Sequence, residues 1–162
     1  MILGLHHPAI STANLERLVD FYTSLLRFDE VYRAGWPVGA EVQNRLLGAE
    51  GSGARLVMLR QANAYLEIFQ FDLPPTETRD RQQRLFGQGL THLCLAVRDI
   101  EAEYRRLCDA GMEFNTSPLH RGPFSVVYGR DPDGNAVELL EHHDATQAFA
   151  PHWRRPDRAF VN

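Results

Sequence analysis

The chain is short of cysteine, of surplus positive charge and of long apolar runs, and each shortage excludes a class of protein. Only Cys94 and Cys108 occur in 162 residues, too few for a disulfide-built scaffold. The opening Met1-Ile2-Leu3-Gly4-Leu5 runs straight into a strand pattern with no secretory signal. The two thiols therefore read as reduced, and a cytoplasmic location is expected. The formal net charge is −4, and the pairs Arg105-Arg106 and Arg154-Arg155 are short and interrupted, so no nucleic-acid partner is expected. No apolar stretch is long enough to span a bilayer, so no membrane association is expected. With 44% apolar and 23% charged residues, the composition is that of an ordinary globular protein long enough to bury a core.

What is present is a repeat. Residues 5–28 read strand, cap, helix, turn, and residues 90–114 read the same. A helix is expected over residues 15–26, with Leu15, Leu18, Val19, Tyr22, Leu25 and Leu26 at helical spacing. A second is expected over residues 100–110, with Ile100, Glu103, Tyr104 and Leu107 on one stripe. Asn14 and Asp99 suit the N-caps, since each side-chain oxygen can accept from free backbone N–H groups. Gly111 suits the position just past the second helix, and Arg27 stands in the matching place after the first. Strands are expected over residues 30–34, 55–60 and 65–71, then 113–115, 124–130 and 136–141. Asp131-Pro132-Asp133-Gly134 marks a tight turn before the last of these. Residues 38–52 read as an insertion with a short helix over 41–47. The expected class is α+β: two tandem βαβββ modules, residues 1–71 and 90–142, joined by a linker over 72–89. They form a curved, partly open mixed sheet with helices on its outer face. The tail, 143–162, carries Phe149, Trp153 and Phe160 and is expected to dock.

Four residues stand at matching places in the two repeats: His7 and His92, each seven residues before its cap, and Glu67 and Glu138, each among apolar strand residues. A carboxylate in that setting is costly unless something pairs with it. A lone strand histidine is more often structural, and a lone buried glutamate more often meets an arginine. Two imidazoles and two carboxylates repeated in register point instead to a divalent metal ion, with Zn, Ni, Co, Fe and Mn all compatible with nitrogen and oxygen ligands. Strand parity places Ala9 and Ser11 with His7, and Tyr65, Phe69 and Phe71 with Glu67. It places Cys94 and Ala96 with His92, and Ala136 and Leu140 with Glu138. Pro8, Ile10, Leu66, Ile68, Leu93, Leu95, Val137 and Leu139 fall on the other face, for helix packing. His6 is expected to face away from His7. His120 and the pair His142-His143 are expected in loops or solvated. Tyr65, Phe69, Cys94, Tyr128, Arg55 and Trp36 are the expected substrate contacts. Phe124 and Met58 are shared with core packing, and Arg33, Arg60 and Arg121 are further anion contacts.

The stretches Leu5-His6-His7-Pro8-Ala9-Ile10, Asp20 to Phe28, Tyr65-Leu66-Glu67-Ile68-Phe69, Gly89 to Val97 and Asp131 to Leu139 resemble the vicinal oxygen chelate superfamily. That group holds glyoxalase I, methylmalonyl-CoA epimerase, extradiol dioxygenases and the fosfomycin- and bleomycin-resistance proteins. The resemblance covers roughly residues 3–142. It implies that His7, Glu67, His92 and Glu138 are the metal ligands, that Glu67 and Glu138 supply the catalytic base, and that the protein is a homodimer acting on a small molecule. The implied activity is that of a metal-dependent isomerase, epimerase or lyase. The ion would act as a Lewis acid while a carboxylate takes a proton next to a carbonyl. The alternatives are an Fe(II) extradiol-type dioxygenase, whose open positions a fourth ligand at Glu67 would reduce, and a non-catalytic binder that sequesters a small molecule. Glyoxalase I enzymes carry an arginine four residues after the first histidine to hold glutathione. Ser11 stands there in this chain, so the resemblance does not extend to glutathione as carrier.

Overall fold

Helix starts and strand alternation set the architecture. The structure is a computed structural model that describes residues 1–62, 64–77, 85–144 and 146. The order is β1 (Ala9–Ser11), α1 (Leu15–Asp20), β2 (Asp29–Trp36), α2 (Glu41–Leu47), β3 (Gly53–Gln61) and β4 (Ala64–Leu73). It continues with β5 (His92–Ala96), α3 (Ile100–Asp109), β6 (Glu113–Phe114), β7 (Leu119–Arg121), β8 (Phe124–Arg130) and β9 (Ala136–His142). The chain divides into two compact units, within residues 1–78 and 79–155. Their sheets follow one plan: β1-β4-β3-β2 in the first, β5-β9-β8-β6 in the second, with β7 also on β8. In each, the opening strand runs parallel to the closing strand and every other pairing is antiparallel. The α+β class is as expected, with a separate mixed sheet in each unit.

Both helix starts are fixed twice. Asn14 and Asp99 cap as expected, accepting from Arg17 N and Ala102 N at 3.1 Å each. The sheet supplies a second acceptor. Gln70 Oε1 accepts from Leu15 N at 2.8 Å, and the Glu141 carboxylate accepts from Asp99 N at 2.6 Å and Ile100 N at 3.0 Å. Gln70 and Glu141 each stand three residues after the glutamate of their unit. A carboxylate there also favours the positive end of the helix dipole. Each helix then buries its stripe on the sheet. Leu15, Leu18, Val19 and Tyr22 are buried with Val57, Leu59, Leu66 and Ile68, and Ile100 and Leu107 with Val127, Val137 and Leu139. The parity expected for Leu66, Ile68, Val137 and Leu139 is therefore the observed one.

Several local readings change. The helix expected over 15–26 is α-helical only to Asp20 and continues as a π-helical turn over Phe21–Leu25. His7 was expected inside a strand, but β1 begins at Ala9, because Pro8 has no N–H to give the ladder. Its carbonyl still accepts from Glu67 N at 3.1 Å. His120 lies in β7, which had no clear signal in sequence, and His142 ends β9. Phe149, Trp153 and Phe160, and residues 78–84 of the expected linker, lie outside the described residues. Among the described residues no helix is long and apolar enough to cross a membrane.

Arg27 explains its missing glycine by taking the glycine's conformation. Its φ is +61°, against +88° for Gly111 after α3. An L side chain in that region costs roughly 1 kcal/mol. Arg27→Gly is therefore expected to stabilise the protein by about 0.5–1 kcal/mol. The check is a rise in the urea midpoint with an unchanged m-value. An unmoved or lower midpoint would contradict it.

Candidate metal centre

Register brings each imidazole to its carboxylate. The parallel pairs set Ala9 opposite Glu67 and Cys94 opposite Glu138. In both units the histidine precedes that partner by two residues, so the two pairs are built alike. His7 Nε2 lies 3.2 Å from Glu67 Oε2, with side-chain exposures of 31% and 16%. His92 Nε2 lies 2.9 Å from Glu138 Oε2, with exposures of 30% and 13%. Each pair brings one imidazole nitrogen against one carboxylate oxygen. Among the described residues no group of three or more His, Cys, Asp and Glu side chains gathers in metal-holding geometry, so each unit offers two donors.

The donor set fits a divalent ion. Bonds of about 2.1 Å from zinc to nitrogen or oxygen put neighbouring ligands at a right angle about 3.0 Å apart. Both pairs hold that spacing. In each pair the carboxylate supplies an anionic oxygen and the imidazole a nitrogen, both donors such an ion takes.

The residue before each histidine touches its other ring nitrogen. His6 Nδ1 lies 2.6 Å from His7 Nδ1, and Thr91 Oγ1 lies 2.9 Å from His92 Nδ1. This corrects the expectation that His6 faces away. His6 stacks on Tyr65 with centroids 5.1 Å apart and 3° between planes, which turns it toward His7. Such partners orient a ligating imidazole and select its tautomer.

The two carboxylates differ in their surroundings. Across the strands from Glu138 stand Cys94 and Tyr128, each with a polar hydrogen. Partial desolvation first, and then the Glu138 charge, push the Cys94 thiol and the Tyr128 hydroxyl up to about 12 each. Both thus remain protonated donors near neutral pH. Tyr128 also meets His92 edge to face, with centroids 5.3 Å apart. The matching neighbours of Glu67 are Ala9 and Met58, neither with a polar hydrogen.

The other expected contacts separate by face. Tyr65 and Phe69 alternate with the buried Leu66 and Ile68 and share the Glu67 face. Trp36 joins Phe69 and Phe71 at 6.1 Å from each. Arg55 does not share this face. It stands opposite Gln70, whose side chain reaches the helix start, and it meets Asp72 at 3.7 Å. In the second unit His120 Nδ1 and His143 Nε2 lie 2.6 and 2.7 Å from the buried Ser125 Oγ, with Glu101 behind His120 at 3.3 Å. His143 is exposed, as expected, yet its Nε2 reaches Ser125. The sequence carried no signal for this group, whose members lie on four separate segments.

Comparison with known proteins agrees with the fold. The chain is 27% identical to a 2-epi-5-epi-valiolone epimerase from Actinomyces over 85% of its own length and 79% of that protein's. It superposes on a glyoxalase family protein from Bacillus cereus with a TM-score of 0.78 at 20% identity, covering 89% of this chain and 97% of that one. It also superposes on the fosfomycin resistance protein FosX from Listeria monocytogenes, crystallised with Mn(II) and a dihydroxypropylphosphonic acid. That TM-score is 0.60 at 17% identity, over 90% and 96% of the two chains. The family model for the glyoxalase/bleomycin resistance protein/dioxygenase superfamily matches residues 4–139, most of the chain, and the chain belongs to that superfamily.

Proposed function

We propose that the protein is a metal-dependent isomerase, epimerase or lyase that removes a proton next to a carbonyl of a small substrate with neighbouring oxygens. The observation that carries this reading is the repetition of one His–Glu couple in both units at the donor spacing of a single ion. In this proposal His7, Glu67, His92 and Glu138 are ligands of a divalent ion. When bound, that ion would supply Lewis-acid polarisation of the chelated carbonyl. Likeness to an epimerase over most of both chains supports the reaction class. A homodimer belongs to the same proposal, on the free outer edges of β1 and β2, which exposed strands ordinarily cover.

The protein's own groups divide the work. Glu138 pairs with His92 and has the protonated Tyr128 and Cys94 as its strand neighbours, and it keeps its place as a fixed acceptor. Glu67 has Ala9 and Met58 beside it and is the freer carboxylate. Glu67 therefore turns from ligand to general base and takes the proton on one of its Oε atoms. His6 holds the His7 imidazole from behind, at Nδ1.

Three outcomes test this. Protein purified without added metal should carry about one divalent ion per chain by elemental analysis. His7→Ala and His92→Ala should each strip it, since removing either imidazole leaves an incomplete ligand set. If one variant kept a full complement, its histidine would not be a ligand. Glu67→Gln should cut turnover by about 10²-fold or more at unchanged Tm, because an amide keeps the shape but takes no proton. Glu138→Gln should cost less. The assay is solvent deuterium exchange next to the carbonyl, screened over acyl-CoA esters, hemithioacetals and catechols, and the reverse ranking would move the base to Glu138. Finally, methylglyoxal with glutathione and Ni or Zn should give little thioester, because Ser11 offers no cation to a carboxylate. A charged hydrogen bond is worth about 1.5–3 kcal/mol, so its absence should weaken binding by tens of fold. Efficient thioester formation that stops on chelation would reassign the protein as a glyoxalase I.

A further inference from the structure

We propose that the first unit carries a binding wall for an uncharged aromatic ring, made by Trp36, Phe69 and Phe71, and that the substrate is an aryl-bearing compound whose chelating oxygens lie within a few bonds of the ring. This rests on the reaction centre proposed at Glu67. Along β4 the face that carries Glu67 continues through Phe69 and Phe71. Residues two apart on a strand lie about 7 Å from one another, so the wall starts one ring's length from the carboxylate.

The three rings are arranged as a surface. Phe69 and Phe71 stack with centroids 5.7 Å apart and 17° between planes. Trp36 meets them edge to face at 69° and 79°. All three are half-buried, while Val57 and Ile68 on the opposite face are 0% exposed. These rings are therefore not part of the helix-side core. The one polar atom among them is already used. Trp36 Nε1–H donates to Ser52 Oγ at 3.1 Å, and Ser52 donates through its hydroxyl and its backbone N–H to Asn44 Oδ1 at 2.8 and 2.9 Å. Asn44 belongs to α2, so the insertion between β2 and β3 fixes the tilt of the indole.

The wall is also particular to one unit. Carried over in register from Glu67 to Glu138, the places of Phe69 and Phe71 fall on Leu140 and His142. No helix stands between β6 and β8 to correspond to α2. What the units share makes the His–Glu pairs; what they do not share is free to choose a substrate. The strand neighbours of the wall are Leu56, Ala54 and Ser11, so its cross-strand partners carry no charge for a carboxylate or phosphate. A planar ring fits, because aromatic pairs prefer offset or edge-to-face contacts at centroid distances of about 4.5–7 Å.

The test uses three 2-oxo acids with the same chelating oxygens and different tails: phenylpyruvate, 2-oxooctanoate and pyruvate, titrated calorimetrically into the full chain. Phenylpyruvate should bind at least tenfold tighter than pyruvate and at least threefold tighter than 2-oxooctanoate. Phe69→Leu and, separately, Phe71→Leu keep apolar bulk but remove a ring. Either variant that keeps the wild-type Tm should lose the threefold margin over 2-oxooctanoate while pyruvate binding stays put. Equal binding of phenylpyruvate and pyruvate would overturn the wall, and equal binding of phenylpyruvate and 2-oxooctanoate would overturn its preference for rings. Repeating the series after EDTA separates this from the metal reading. If the ring preference holds and EDTA changes nothing, the wall stands and the metal centre falls; if EDTA weakens all three with no ring preference, the reverse holds.

Discussion

Parallel strands cannot be joined by a tight turn, and the candidate centre depends on that constraint. β1 lies parallel to β4, and β5 to β9. The chain must therefore leave the first strand, cross over and return before the pair can close. The helix makes the crossing and covers one sheet face, where Leu66, Ile68, Val137 and Leu139 are buried. The other face is left for side chains that the helices do not cover. There the closing strand carries a carboxylate that is only 13–16% exposed, a setting that requires a partner. The parallel register supplies one, two residues ahead of the facing position. Gln70 and Glu141 tie the same closing strands to the helix starts. One strand therefore fixes both the packing of the helix and the position of the carboxylate.

From that shared frame the units diverge in complementary ways. The second surrounds its carboxylate with donors, Tyr128 and Cys94. The first leaves its carboxylate between Ala9 and Met58 and lays an aromatic cluster along the same strand. The two pairs thus differ in surroundings because one position differs on each of two neighbouring strands, Ala9 against Cys94 and Met58 against Tyr128. Fold identity alone would not separate them.

Much of this was legible in the sequence because it depends on short-range rules. The caps at Asn14 and Asp99, the insertion helix, the strand alternation and the doubled histidine and glutamate all follow from spacing along the chain. What was not legible depends on tertiary register. Arg55 reads as a pocket residue until β3 is paired with β4, which turns it to the helix side. His6 was assigned outward by strict alternation, but β1 does not begin until Ala9, so parity does not reach it. The double anchoring by Gln70 and Glu141 joins residues more than forty positions from their partners, and no local pattern announces it. The Ser125 cluster is of the same kind.

The residues behind the two histidines complete the logic of the pairs. To donate to its glutamate, each imidazole must carry its proton on Nε2; to offer that nitrogen's lone pair to a cation, it must carry the proton on Nδ1. A neighbour that could only donate or only accept at Nδ1 would lock one tautomer. Thr91 beside His92 has a hydroxyl that does either by rotating. His6 beside His7 has a ring nitrogen that does either by changing its own tautomer. Each imidazole can therefore pass between the two roles without gaining or losing net charge, and without leaving a ring nitrogen unsatisfied in a partly buried site. Two chemically different neighbours at one repeated position solve the same problem, which argues that the constraint acts on the versatility of the Nδ1 partner.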